Sequence, residues 1–141
     1  MNRLWEKIMK PIIEELKIEF IVEIGSDYGV NTKNILEYCL KENKKMIAID
    51  PKPKFDLNDF YETYGEKFYL YEDLSLSILP DIEGYDCVLI DGDHNWYTVY
   101  NELKIIEKNC YKKFPLIFLH DVSWPYGRRD LYYDPDNIPD K

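Results

Sequence analysis

Apolar side chains at positions 4, 5, 8, 9, 12, 13 and 16 recur with a helical period, and Pro11 interrupts the run. The pattern predicts an N-terminal helical segment over 1–17 that kinks or divides, the second part starting at the proline. EFIVEI (19–24) then reads as a buried strand. Asn31 or Thr32 can cap a following helix whose inner face is Ile35, Leu36, Cys39 and Leu40. KMIAID (45–50) is a second strand, stopped by Pro51 and Pro53. Leu57, Phe60, Tyr61 and Tyr64 return to helical spacing, with Gly65 as the stop.

KFYLY (67–71) predicts a short third strand. YDCVLID (85–91) predicts a fourth, apolar on both faces as a central parallel strand must be. Val99, Leu103, Ile106 and Cys110 predict a helix capped by Asn95, and FPLIFLHD (114–121) a fifth strand. The tail, 122–141, has three prolines and no period, so it reads as irregular. Strands alternating with helices predict one α/β domain over 1–141, a Rossmann-like doubly wound sheet. Its expected order is 3-2-1-4-5, with a ligand crevice at the carboxyl ends of strands one and four.

Composition narrows the partners. The chain has 141 residues, a size that buries most of its surface as one domain, and a formal charge of −9. Its basic residues are scattered, which argues against nucleic acid and against an anionic membrane surface. No apolar stretch approaches the ~20 residues of a membrane span. Glu6, Lys7 and Lys10 break any secretory core at the N-terminus. Cys39, Cys87 and Cys110 lack paired spacing and sit in apolar patterns, as reduced thiols of a cytoplasmic protein would.

The first strand ends in VEIGSDYG (22–29), an acid followed by two glycines on either side of a polar loop. Such a loop is either a tight strand-to-helix connection or a backbone that approaches a ligand. The dinucleotide fingerprint G-x-G-x-x-G is absent, and Asp27 would repel a pyrophosphate, so a cofactor carrying positive charge fits better. This segment resembles the first motif of the class I S-adenosylmethionine-dependent methyltransferases, acid-x-G-x-x-x-G. IAIDP (47–51) resembles their second motif, and Glu72-Asp73-Leu74-Ser75 falls where that family contacts adenine. The resemblance implies S-adenosylmethionine as cofactor, with Glu23, Gly25, Ser26, Asp27, Gly29, Asp50, Asp73, Leu74 and Asp91 around it. Asp50 would accept both ribose hydroxyls. Gly25 and Gly29 can equally serve backbone geometry, Asp50 a turn, and Asp73 a helix cap.

LIDGDHNWYTVYNEL (89–103) lacks the Asn/Asp-Pro-Pro-aromatic motif of nucleic-acid amino methyltransferases. Its D-G-D-H run resembles small-molecule O-methyltransferases, implying a hydroxyl acceptor such as a sugar or metabolite. A neutral imidazole, with an unperturbed pKa of ~6.5, suits deprotonation of a hydroxyl near neutral pH. His94 is therefore the candidate base, unless it merely flanks the next helix; Asp91 accompanies it. Trp96, Arg128 and Arg129 are candidates to hold the acceptor, although the arginines could equally pair with nearby acids. Related metal-dependent enzymes hold Mg²⁺ with a carboxylate after strand four and an acidic pair after strand five. Here Asp91 matches the first position. His120-Asp121-Val122 supplies only Asp121 to the second, and His120 receives no role.

The resemblance covers roughly residues 18 to 133 and leaves out the two strands that close the family's sheet. The expected fold thus lacks them, and strand five becomes an apolar edge that the tail or a second copy of the chain would cover. Two functions follow: a methyltransferase for a small hydroxylated molecule, or a shortened, inactive cofactor-binding or oligomerising module.

Overall fold

The structure is a computed structural model that describes residues 1–110 and 113–120. A 3₁₀ turn (Asn2–Leu4) and a π-helical turn (Trp5–Met9) lead into α1 (Lys10–Glu15), whose first turn holds Pro11. The division expected at the proline is present. The strands and α-helices that follow are β1 (Phe20–Ile24), α2 (Val30–Lys41), β2 (Lys45–Ile49), α3 (Leu57–Tyr64), β3 (Phe68–Tyr71), α4 (Ser75–Ile78), β4 (Cys87–Ile90), α5 (Trp96–Asn109) and β5 (Leu116–Leu119), with 3₁₀ turns at Gly65–Lys67 and Leu79–Asp81. All pairings are parallel, in the order β3-β2-β1-β4-β5. The doubly wound sheet read from the sequence is the one observed.

Alternation along β1 explains the two cores. Ile21 faces a layer built on Trp5, Met9, Ile13, Ile35, Leu36 and Phe68, while Phe20, Val22 and Ile24 face one built on Leu79, Ile82 and Ile106. The buried positions 5, 9 and 13 recur at spacing four, so the N-terminal segment lays one face on α2, with Trp5 edge-on to Tyr38. Every residue of β4 is buried, as a central strand requires. Cys39 and Cys87 are buried and Cys110 half-buried, all as free thiols. Burial drives the Cys39 thiol up to about 12, which keeps it protonated and inert.

Two expectations are corrected. Neither Asn31 nor Thr32 caps α2; Gly29 does, in the left-handed region at φ 72°, because both side chains turn inward to Glu23. Leu40 is not on the inner face but 53% exposed, since α2 covers the sheet with a narrower stripe in which Tyr38 takes part. The Asn95 cap of α5 is present, its side chain accepting from Tyr97 N at 2.9 Å. Among the described residues β5 lies at the sheet edge, half-exposed. The tail expected to cover it lies outside the described residues. No helix among the described residues is long and apolar enough to cross a membrane.

Candidate functional site

Sheet hydrogen bonding carries on past the strand ends and fixes the loops there. Gly25 N donates to Ile49 O at 2.9 Å, Asp91 N to Ile24 O at 2.9 Å, and His120 N to Ile90 O at 3.0 Å. The loops after β1, β2, β3 and β4 therefore start at one level, and between them lies a cavity of about 1010 Å³. Residues 25–28, Asp50, Leu74 and Ser75, and residues 91–94 all line it. This is the switch point of the sheet, where strand order reverses between β1 and β4.

The first loop is set by contacts beneath it. A Cβ at Gly25 (φ 87°) would come within 2.5 Å of Asp91 O and Gly92 Cα, so the glycine permits two loop backbones to touch. One at Gly29 would meet the Phe55 ring at 2.8 Å. Asp50 fixes the loop from the side: Oδ2 accepts from Ser26 N at 2.7 Å and Asp27 N at 2.8 Å, and Oδ1 from Lys52 N at 2.8 Å. A carboxylate has about four acceptor sites, so positions remain for further donors from the cavity. Ser26 Oγ, buried at the wall, meets no hydrogen-bond partner among the described residues.

The repulsion of a pyrophosphate expected from Asp27 is offset, because its carboxylate is paired with Lys54 Nζ at 2.6 Å. Asp91, also at the cavity, is likewise paired, with the Met1 ammonium, whereas Asp50 accepts from backbone amides and is the stronger source of preference for a cationic ligand.

Glu23, 1% exposed, does not line the cavity. Its carboxyl accepts from Asn31 Nδ2 at 2.7 Å and Thr32 Oγ1 at 2.6 Å, tying β1 to the first turn of α2. Burial, the largest influence, outweighs these donors and lifts its pKa from 4.5 to about 7. The folded state then binds a proton more tightly than the unfolded chain. The stability this contributes is full below pH 4.5 and is lost as pH rises to about 7, a swing of about 3 kcal/mol. Glu23→Gln is expected to flatten this dependence because an amide does not titrate, and to keep the fold because its Nε2 can donate to Asn31 Oδ1, a buried atom with no partner among the described residues. Urea titrations at pH 5 and pH 8 check this; equal pH dependence in both proteins would remove Glu23 as the source.

Neighbouring strands supply the other wall. Ile90 pairs in register with Leu119, so the next residues, Asp91 and His120, face each other. His120 Nδ1 lies 2.7 Å from Asp91 Oδ1, and Asp91 Oδ2 accepts from the Met1 ammonium at 3.0 Å. His94 lines the cavity from the exposed side, its ring centroid 6.1 Å from that of His120. One donor atom from each of Asp91, His94 and His120 lies within 4.8 Å of the others. Asp93 serves structure, accepting from Asn95 N at 3.1 Å and Thr98 Oγ1 at 2.7 Å.

The structure thus gathers Gly25, Ser26, Asp27, Asp50, Leu74, Asp91 and His94 around one cavity. Glu23 and Gly29 stand behind the wall. Asp73 is exposed and accepts from its neighbour Leu74 N at 2.6 Å, outside the cavity lining. Trp96 is 66% exposed, stacked on Tyr100 at 4.9 Å, also outside it. Asp121, Arg128 and Arg129 lie outside the described residues. His120 is the site residue that reading by motif passes over. The strand order holds the signal, since it makes strands four and five neighbours. Ser75 and Glu102 form a second unforeseen pair: the Ser75 hydroxyl, at the cavity wall, donates to the buried Glu102 carboxylate.

A family model described as a methyltransferase domain matches residues 22–122. No curated protein matches the chain. Among solved structures, the chain is similar to SAH-bound Podospora anserina methyltransferase PaMTH1, at 17% identity and a TM-score of 0.63, over 79% of this chain and 50% of that one. It is also similar to a Klebsiella pneumoniae protein described as an O-methyltransferase, at 17% identity and a TM-score of 0.50, over 74% and 49%. At such identities the likeness is one of fold. The chain spans about half the length of these two proteins.

Proposed function

The chain belongs to the methyltransferase-domain family, and from that premise we propose that it binds S-adenosylmethionine in the switch-point cavity and methylates a hydroxyl of a small molecule. One observation carries the reading: the glycine loop, Asp50 and Asp91 converge on a single cavity of about 1010 Å³. Its carboxylates suit the sulfonium and ammonium of the cofactor, and Asp50 and Ser26 Oγ keep hydrogen-bonding capacity for ribose hydroxyls. The SAH ligand of the Podospora relative supports the same choice.

Transfer is an in-line displacement. The acceptor oxygen forms a bond to the methyl carbon as the carbon–sulfur bond breaks, and sulfur leaves with the electron pair as a neutral thioether. The protein's part is to align the two and remove the hydroxyl proton. That proton goes to the His94 imidazole, which reaches the cavity from its open side. Arg128, Arg129 and Trp96 remain candidates for holding the acceptor.

Calorimetric titration with S-adenosylhomocysteine tests the cofactor. Saturable binding that NAD does not displace is expected. Asp50→Ala should weaken it by ~1–3 kcal/mol, since the variant loses both an acceptor for the ligand and the amides that hold the loop. A folded variant with unchanged affinity removes Asp50 from the site. Absence of binding in the wild type sinks the reading and favours a module without cofactor.

A further inference from the structure

We propose that Asp91, His94 and His120 form a binding site for one divalent transition-metal ion at the wall of the cavity. The donors come from two loops that the sheet itself sets side by side, since Asp91 and His120 follow paired residues of β4 and β5. Two imidazoles and one carboxylate are an N₂O set. Magnesium takes oxygen ligands almost exclusively, whereas zinc, manganese, iron and cobalt accept imidazole readily. Of the carboxylate Mg²⁺ site implied by the family resemblance, Asp91 belongs to this set and Asp121 lies outside the described residues.

Geometry permits the set to close. Two donors bonded to one ion at about 2.0–2.2 Å stand no more than about 4.3 Å apart. The three donor atoms already lie within 4.8 Å of one another, so a sub-ångström side-chain adjustment suffices. Asp91 Oδ1 and His120 Nδ1, at 2.7 Å, are at the separation of adjacent ligands. Both residues are half-buried and His94 is exposed, and Asp91 and His94 both line the cavity. On the methyltransferase reading, an ion there supplies a Lewis acid that holds the acceptor oxygen and lowers its pKa. His94 would then act as a ligand, the hydroxyl proton passing to solvent, and only in the metal-free protein as a proton acceptor.

Cobalt(II) titration of untagged, chelator-stripped protein tests the site, followed by visible absorption and by metal analysis after dialysis. One Co²⁺ per chain is expected, with d–d bands of a nitrogen-containing site, displaced by Zn²⁺ and not by millimolar Mg²⁺. His120→Ala and His94→Ala should each weaken Co²⁺ binding at least tenfold while the circular dichroism spectrum is kept. Substoichiometric Co²⁺, or affinity unmoved by both substitutions, overturns the proposal, and so does displacement by Mg²⁺ at equal concentration. S-adenosylhomocysteine binding measured on the same samples separates the two readings. Cofactor binding without Co²⁺ removes the metal site alone, and Co²⁺ binding without the cofactor removes the methyltransferase function alone.

Discussion

Gly25→Ala is expected to cost about 2–6 kcal/mol of folding stability and to abolish measurable cofactor binding. Two penalties combine. At φ 87° any side chain strains the backbone, by about 1–3 kcal/mol. The added Cβ would also lie 2.5 Å from Asp91 O and Gly92 Cα and 2.6 Å from Asp91 C. These are all backbone atoms, so no side chain can rotate away, and overpacking of this kind costs about 1–3 kcal/mol more. Relief requires the β1 and β4 loops to part, and those loops are two walls of the cavity. Gly84→Ala is the control, because Gly84 has φ 75° and open space where its Cβ would be, so it carries the strain alone. Urea unfolding of both variants checks the difference. Equal destabilisation would show that the two loops do not press together.

That contact bears on how far the amino-acid pattern could be followed. Strand order was legible from the alternation of strands and helices, and the central place of β4 from its being apolar throughout. The glycines of the first loop were legible as special but not as to purpose. What Gly25 avoids is a backbone 66 residues later, at Asp91, and such contacts leave no local mark. The start of α2 departs from the local pattern for a similar reason. Asn31 and Thr32 have the chemistry of caps, yet a buried acid on the preceding strand claims both. Asp27 has the charge that a phosphate would avoid, but Lys54, 27 positions away, neutralises it. Motif matching located Asp91 and His94 within one run of sequence. His120 came only from register, since it stands beside Asp91 across two strands rather than along one.

The largest effect on chemistry is expected at His94. His94→Ala should lower turnover by ~10²–10⁴-fold with S-adenosylhomocysteine affinity unchanged, the magnitude associated with loss of a positioned proton acceptor in the metal-free protein, or of a ligand to the ion when metal is bound. His94 is an exposed loop residue, and surface substitutions of that kind usually change stability by less than ~0.5 kcal/mol, so the fold should not confound the measurement. Because the cofactor can bind through the β1 loop and Asp50, the loss should fall on kcat rather than on cofactor affinity. Chelation divides the effect. Stripping metal from the wild type should reproduce part of the loss, leaving the activity that the imidazole supports by itself. His94→Ala in chelator should then remove the remainder. Assays of methyl transfer to a panel of sugars, phenols and other hydroxylated metabolites, with radiolabelled cofactor, supply the readout. Wild-type turnover in the variant, with or without chelator, would reduce His94 to a polar residue flanking α5 and pass proton removal to the acceptor's own environment or to solvent.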